Sequence, residues 1–192
     1  TNTSGNISAR NAATVHLGSL VGNGTVSGSG GATGTAIFSV GARNEDCTFG
    51  GVISDGNTGT GRLGRLTKVG TGKFTLTGAN TYTGQTNVDV GTLEIGNGGT
   101  TGSLGATNVN VAASANLHLN PGSGQVQTIS GVVAGAGTIT KLGAGRTNLT
   151  GVNTFSVSPI IEGGILAINA DTGLGAVANS VTFQNGSGKL GS

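Results

Sequence analysis

LTKVGTGKFTLTGANTYTGQTNVDVGTLEI, Leu66 to Ile95, returns seventy-three positions later as ITKLGAGRTNLTGVNTFSVSPIIEGGILAI, Ile139 to Ile168, with no gap between the copies. They share Thr67/Thr140, Lys68/Lys141, Gly70/Gly143, Gly72/Gly145, Leu76–Gly78 with Leu149–Gly151, Asn80/Asn153, Thr81/Thr154, Gly91/Gly164, Leu93/Leu166 and Ile95/Ile168, and Phe155 answers Tyr82. The apolar, turn and Asn framework is what repeats. A unit that recurs in this way stacks on itself, because one copy cannot bury its own apolar face.

Composition narrows the fold. Gly is 40 of 192 residues, charged residues are 8%, aromatics 3%, and Met and Trp are absent. The glycines follow no three-residue period and there are only two prolines, which excludes collagen and polyproline rods. Low charge with 34% apolar residues also argues against a disordered chain. The apolar residues form short β-branched runs, eight to twelve residues apart, each bounded by Gly, Asn, Asp or Ser. They read as strands at 13–17, 25–27, 35–40, 47–53, 64–69, 73–77, 86–90, 92–95, 108–111, 115–119, 125–129, 137–141, 146–149, 160–161, 165–169, 180–183 and 189–190. One helical turn fits only within 171–178. A sandwich rarely repeats its sequence at such a distance. A coil of about 20–25 residues per rung, by contrast, returns to register after three rungs.

The fold expected is therefore all-β, a parallel β-solenoid of about eight rungs at ~4.8 Å each, running through residues 1–192 as one segment. Leu66, Phe74, Leu76, Val88, Val90, Leu93 and Ile95 should face inward, as should Ile139, Leu149, Ile161, Leu166 and Ile168. Thr, Asn, Lys and Ser should face water. Asn80 and Asn153 should bond turn backbone at equivalent corners. Residues 1–11 read as a flexible end or a strand paired to another molecule.

The order L-T-K-x-G-x-G-x-x-x-L-T-G-x-N-T-Y-T-G-x-T-x-V-x-x-G-T-L-x-I-G-N-G, met in full from Leu66 to Gly98, resembles the passenger-associated, or autotransporter-associated, β-strand repeat of bacterial surface proteins. The pieces Val15–Val26 and Cys47–Asp55 resemble its usual lead-in. The resemblance implies a right-handed β-helix carried outside the cell, in accord with the general right-handedness of parallel crossovers. It implies a scaffold rather than a chemistry.

Net charge is +2, with no basic cluster and no aromatic platform, so nucleic acid is not an expected partner. No apolar run is long enough to cross a membrane, and the chain, opening at Thr1, reads as a segment of something longer. Cys47, the lone cysteine, reads as a small buried hydrophobe. Glycoside hydrolysis needs two carboxylates converging on a groove. The seven acids (Glu45, Asp46, Asp55, Asp89, Glu94, Glu162 and Asp171) show no such pairing along the chain and read as solvated charge. His16 and His118, flanked by Val15/Leu17 and Leu117/Leu119, read as outward strand residues. Gly30-Gly31 and Gly98-Gly99 lack the Asp of a calcium β-roll, and Thr-x-Thr at Thr75/Thr77, Thr81/Thr83 and Thr138/Thr140 does not recur at every rung as an ice-binding lattice would. The sequons at Asn2, Asn6, Asn23, Asn148 and Asn185 carry meaning only in a glycosylating host. No catalytic, cofactor or metal residue is therefore assigned. The expected role is an extracellular adhesive or structural stalk that contacts surface glycan or host and self-associates through end rungs or further repeats. A carbohydrate-active enzyme and an ice- or glycan-binding solenoid are the alternatives.

Overall fold

The computed structural model describes residues 5–10, 12–28, 34–56, 62–99, 102–176, 179–184 and 189–191. Asn2, Asn185, Gly30-Gly31, and residues 1–4, 11, 185–188 and 192 of the terminal stretches lie outside the described residues. All strand pairs are parallel, and each turn visits three faces in the same order. On the first face, Asn6–Ser8, Thr25–Ser27 and Val52–Ser54 form one sheet. Val126–Ile129, Arg146–Leu149, Ile165–Ile168 and Lys189–Gly191 form another further along. Between these two sheets, among the described residues, the Ala79–Ser103 bridge marks the face. The second face stacks Thr14–Leu17, Ala36–Val40, Gly64–Lys68, Thr86–Val88, Val109–Val111 and Val133–Gly135. On the third face lie Cys47–Phe49, Lys73–Leu76, Gly91–Ile95, Ala115–Leu119, Thr138–Lys141, Ile160–Ile161 and Thr182–Phe183. The fold is a β-solenoid of about seven turns, with a Gly22–Phe49 bridge at its start.

Period-2 alternation sends side chains inward in registered columns. Cys47, Phe74, Leu93, Leu117 and Ile139 form one; Val15, Phe38, Leu66, Thr86, Val109 and Val133 form another. Most of these residues are buried and belong to a single core. Cys47 is among them, in accord with its reading as a hydrophobe. Tyr82 and Phe155 occupy the same place in the two copies and are fully buried, and the Tyr82 hydroxyl meets Thr86 Oγ1 at 2.7 Å.

The structure departs from expectation in several places. The run 47–53 is two strands around a Gly50-Gly51 corner, and Val133–Gly135 is a strand the pattern did not mark. Asn6–Ser8, read as frayed or paired to another molecule, pairs with Thr25–Ser27 of its own chain. Val90 is exposed rather than inward, because the strand ends at Val88 and Gly91 (φ +70°) turns the corner. The two copies also fail to stack on each other. Leu66 pairs through Thr86 and Val109 to Val133, three turns on along the second face. Ile139, its counterpart in the repeat, stands on the third face instead. Likewise Leu93 is on the third face and Leu166 on the first. Turns vary from 19 residues (Asn6 to Thr25) to 28 (Phe38 to Leu66), so seventy-three residues make three turns plus one face.

Candidate functional site

The outer surface of the third face carries a polar cluster. Outward residues Thr48, Thr75, Glu94, His118 and Thr140 lie in one registered row across five turns. Glu94 Oε2 sits 3.4 Å from Lys73 Nζ in the preceding turn and 3.6 Å from His118 Nδ1 in the following one. One carboxylate thus joins three turns. Its neighbours cover it to 5% exposure, so Glu94 is not the solvated charge the sequence suggested. Burial by itself would raise its carboxyl, but His118, the charge and hydrogen bond of Lys73, and Asn120 outweigh that and hold it below the ordinary carboxylate range.

A groove of about 590 Å³ opens beside this cluster, lined by Val21, Asp46, Cys47, Thr48, Lys73, Thr75, Glu94, Asn97 and Asn120. Asp46 Oδ1 accepts the Lys73 backbone N–H at 2.7 Å. Two carboxylates that look unrelated along the chain therefore share one groove. A glycosidase acid must hold its proton near neutral pH, which Glu94, kept ionised, does not do.

The other acids have different surroundings. Glu45 pairs with Arg43 at 2.9 Å on the exposed surface. Asp55 organises a corner, accepting from Gly64 N at 2.7 Å and from Thr83 Oγ1 at 2.6 Å. Asp89 and Asp171 are exposed and Glu162 is half-buried. His16 faces outward and is exposed; His118 also faces outward but is half-covered against Glu94. Among the described residues no group of three or more His, Cys, Asp and Glu could hold a metal ion. The Thr row is interrupted by Glu94 and His118, which removes the regular hydroxyl lattice an ice-binding face requires.

Two further elements recur in both copies. Asn80 Oδ1 accepts from Ile53 N (2.8 Å) one turn before, and its Nδ2 donates to Ser103 O (2.7 Å) one turn after. Asn153 does the same between Val133 N (2.8 Å) and Gly173 O (2.8 Å). The expected corner amides are therefore staples across three turns. The second element was read wrongly. Lys68 and Lys141, expected in water, are 1% exposed. Lys68 stands in an inward column with Leu17, Val40, Val88 and Val111; Lys141 stands in one with Leu119 and Ile161. Alternation from inward Leu66 and Ile139 already placed them inside, and the hydrophilic side chain hid that signal.

Residues 66–95 and 139–168 both match the passenger-associated-transport-repeat family. The chain carries two passenger-associated-transport repeats. It is also 40% identical over 89 residues to the adhesin BmaC autotransporter of Brucella suis biovar 1 (strain 1330); the match covers 46% of this chain and 3% of that protein. No solved structure matches. In repeat terms, the Asn staple and the buried lysine belong to the shared framework. Glu94 does not, since Ala167 replaces it in the second copy.

Glu94→Gln is expected to cost about 1–2 kcal/mol at pH 7, less than a fully buried pair because Lys73 is 39% exposed. The wild-type contribution of a carboxylate held low is present above its unfolded value of about 4.3 and is lost as pH falls through the folded one. Urea unfolding from pH 7 to 3 should therefore show a steeper loss below about pH 4.3 in the wild type than in Glu94→Gln. Parallel curves for the two proteins would refute the clamp.

Proposed function

We propose that this chain is a segment of an adhesive scaffold displayed outside a bacterial cell, its stacked turns forming a rod and its faces making the contacts. The observation that carries this reading is the pair of passenger-associated-transport repeats built into a continuous parallel solenoid, together with the match to an autotransporter adhesin. The role is mechanical and interfacial rather than catalytic. Inter-turn staples resist unfolding, and a polar surface of low charge is open to glycan or to a host surface. Self-association is part of the proposal. Asn6–Ser8 at one end, and Thr182–Phe183 and Lys189–Gly191 at the other, each have a strand partner on one side only among the described residues. Such edges are templates for a further strand.

The test is binding of beads coated with the purified segment to cultured cells and to an immobilised glycan panel. Saturable binding above that of beads carrying an unrelated β-solenoid is expected; equal binding would sink the adhesive reading. Negative-stain electron microscopy over a range of concentrations addresses association, with filaments expected and short rods at every concentration counting against it. The groove shared by Asp46 and Glu94 supports one second reading, cleavage of a sugar polymer with the ionised Glu94 as nucleophile or base rather than as the acid. Release of reducing ends from polysaccharide, lost in Glu94→Gln, would establish that reading instead.

A further inference from the structure

The buried lysines end in matching surroundings on two different faces. Lys68 Nζ donates to Val69 O (2.8 Å), Gly70 O (2.7 Å) and Val90 O (3.2 Å), the last from the next turn. Lys141 Nζ donates to Gly143 O and to Gly163 O (3.2 Å), which stand where Gly70 and Val90 stand in the first copy. The preceding turn borders the nest too: a β-carbon added to Gly41 would lie 3.3 Å from Lys68 Nζ. Among the described residues neither ammonium has a carboxylate within ion-pairing distance. Each positive charge is held by backbone oxygens.

Converging carbonyls of this kind are how proteins replace the hydration shell of potassium, whereas divalent ions draw on carboxylates. Burial lowers both amines; Lys141, brought to about 8, still holds its proton at neutral pH. An aliphatic side chain would match the apolar neighbours of either inward column but leave these carbonyl oxygens without their donor, and both copies place a lysine there.

We propose that the Thr-Lys-x-Gly corner of each repeat is a monovalent-cation site whose occupant is supplied by the chain itself, and that a free ammonium or potassium ion takes the site when the lysine side chain is cut back. The tethered cation ties one corner to the next turn wherever the repeat lies around the solenoid.

The full chain labelled with ¹⁵N-lysine provides the direct test. Of its four lysines (Lys68, Lys73, Lys141 and Lys189), two are expected to give slowly exchanging ammonium signals near pH 6, lost one at a time in Lys68→Met and Lys141→Met. Each Met variant should also lose roughly 4–8 °C in Tm. In Lys68→Ala and Lys141→Ala, ammonium or potassium chloride should restore at least half of the Tm loss relative to tetramethylammonium chloride at equal ionic strength. Tetramethylammonium is too large to enter and has no N–H. Wild-type Tm in the Met variants, four freely exchanging lysines, or equal restoration by tetramethylammonium would each overturn the proposal. Should the Ala variants fail to fold, the Met variants and the ammonium spectra decide it.

Discussion

Replacing Asn80 with Ala is expected to lower the unfolding free energy by about 3–5 kcal/mol, since each buried backbone group left without a partner costs about 1–3 kcal/mol. Two such groups lose their partner together. Ile53 N–H gives to Asn80 Oδ1 at 2.8 Å and Ser103 C=O accepts from Nδ2 at 2.7 Å, with the amide 4% exposed. Asn153→Ala should cost as much on the second face, where Val133 N and Gly173 O are the orphans. Asn80→Asp separates the two halves of the amide. The carboxylate still accepts from Ile53 but faces the Ser103 carbonyl, which raises its folded pKa. That variant should be weak at neutral pH and recover as pH falls, when the protonated acid donates to Ser103. Urea unfolding with an unchanged m-value gives the numbers. A loss under about 1 kcal/mol for Asn80→Ala would mean that water fills the position and the staple is ornamental.

Gly91→Ala and Gly164→Ala are expected to cost about 3–5 kcal/mol each, of which only about 1–2 kcal/mol is the left-handed backbone. Their φ angles are +70° and +62°. The rest is contact. A β-carbon on Gly91 would lie 2.5 Å from Gly70 O and 2.7 Å from Gly72 O, and one on Gly164 would press on the carbonyls of Gly145 and Gly143. These atoms belong to the preceding turn, so relief requires the turns to part and the parallel ladder to stretch. Gly124 is the control, with φ +72° but nothing within 4 Å of an added β-carbon. Gly124→Ala should show the backbone part alone. If all three variants lose equally by chemical denaturation, close stacking is not the reason for glycine at these corners.

Much of this was legible along the chain. Alternation in Lys73–Leu76 and Gly91–Ile95 fixed which residues enter the core, and the repeat fixed a stacked solenoid. Glycine at a corner suggests a positive φ, which Gly70, Gly91 and Gly164 have, but that is only part of the glycine signal. Gly72, Gly78, Gly145 and Gly151 carry no positive φ, yet each lies against a carbonyl of the turn before. Their identity reports how closely turns approach, a distance between residues 20 to 27 positions apart that local pattern does not encode. The Glu94 cluster stayed hidden for the same reason: Lys73, Glu94 and His118 become neighbours only when successive turns set them side by side.

By itself the sequence determined the alternation, the corners, the parallel stacking and the recurring Asn and Lys, because each depends on residues within one strand or one corner. Only the tertiary structure decided that the second repeat sits one face around from the first, that Lys68 and Lys141 end in carbonyl nests, and that Asp46 shares a groove with Glu94. Those outcomes depend on the register between turns. Register is set by the accumulated lengths of the corners, which range here with turns of 19 to 28 residues, and by the strand pairing that absorbs the difference.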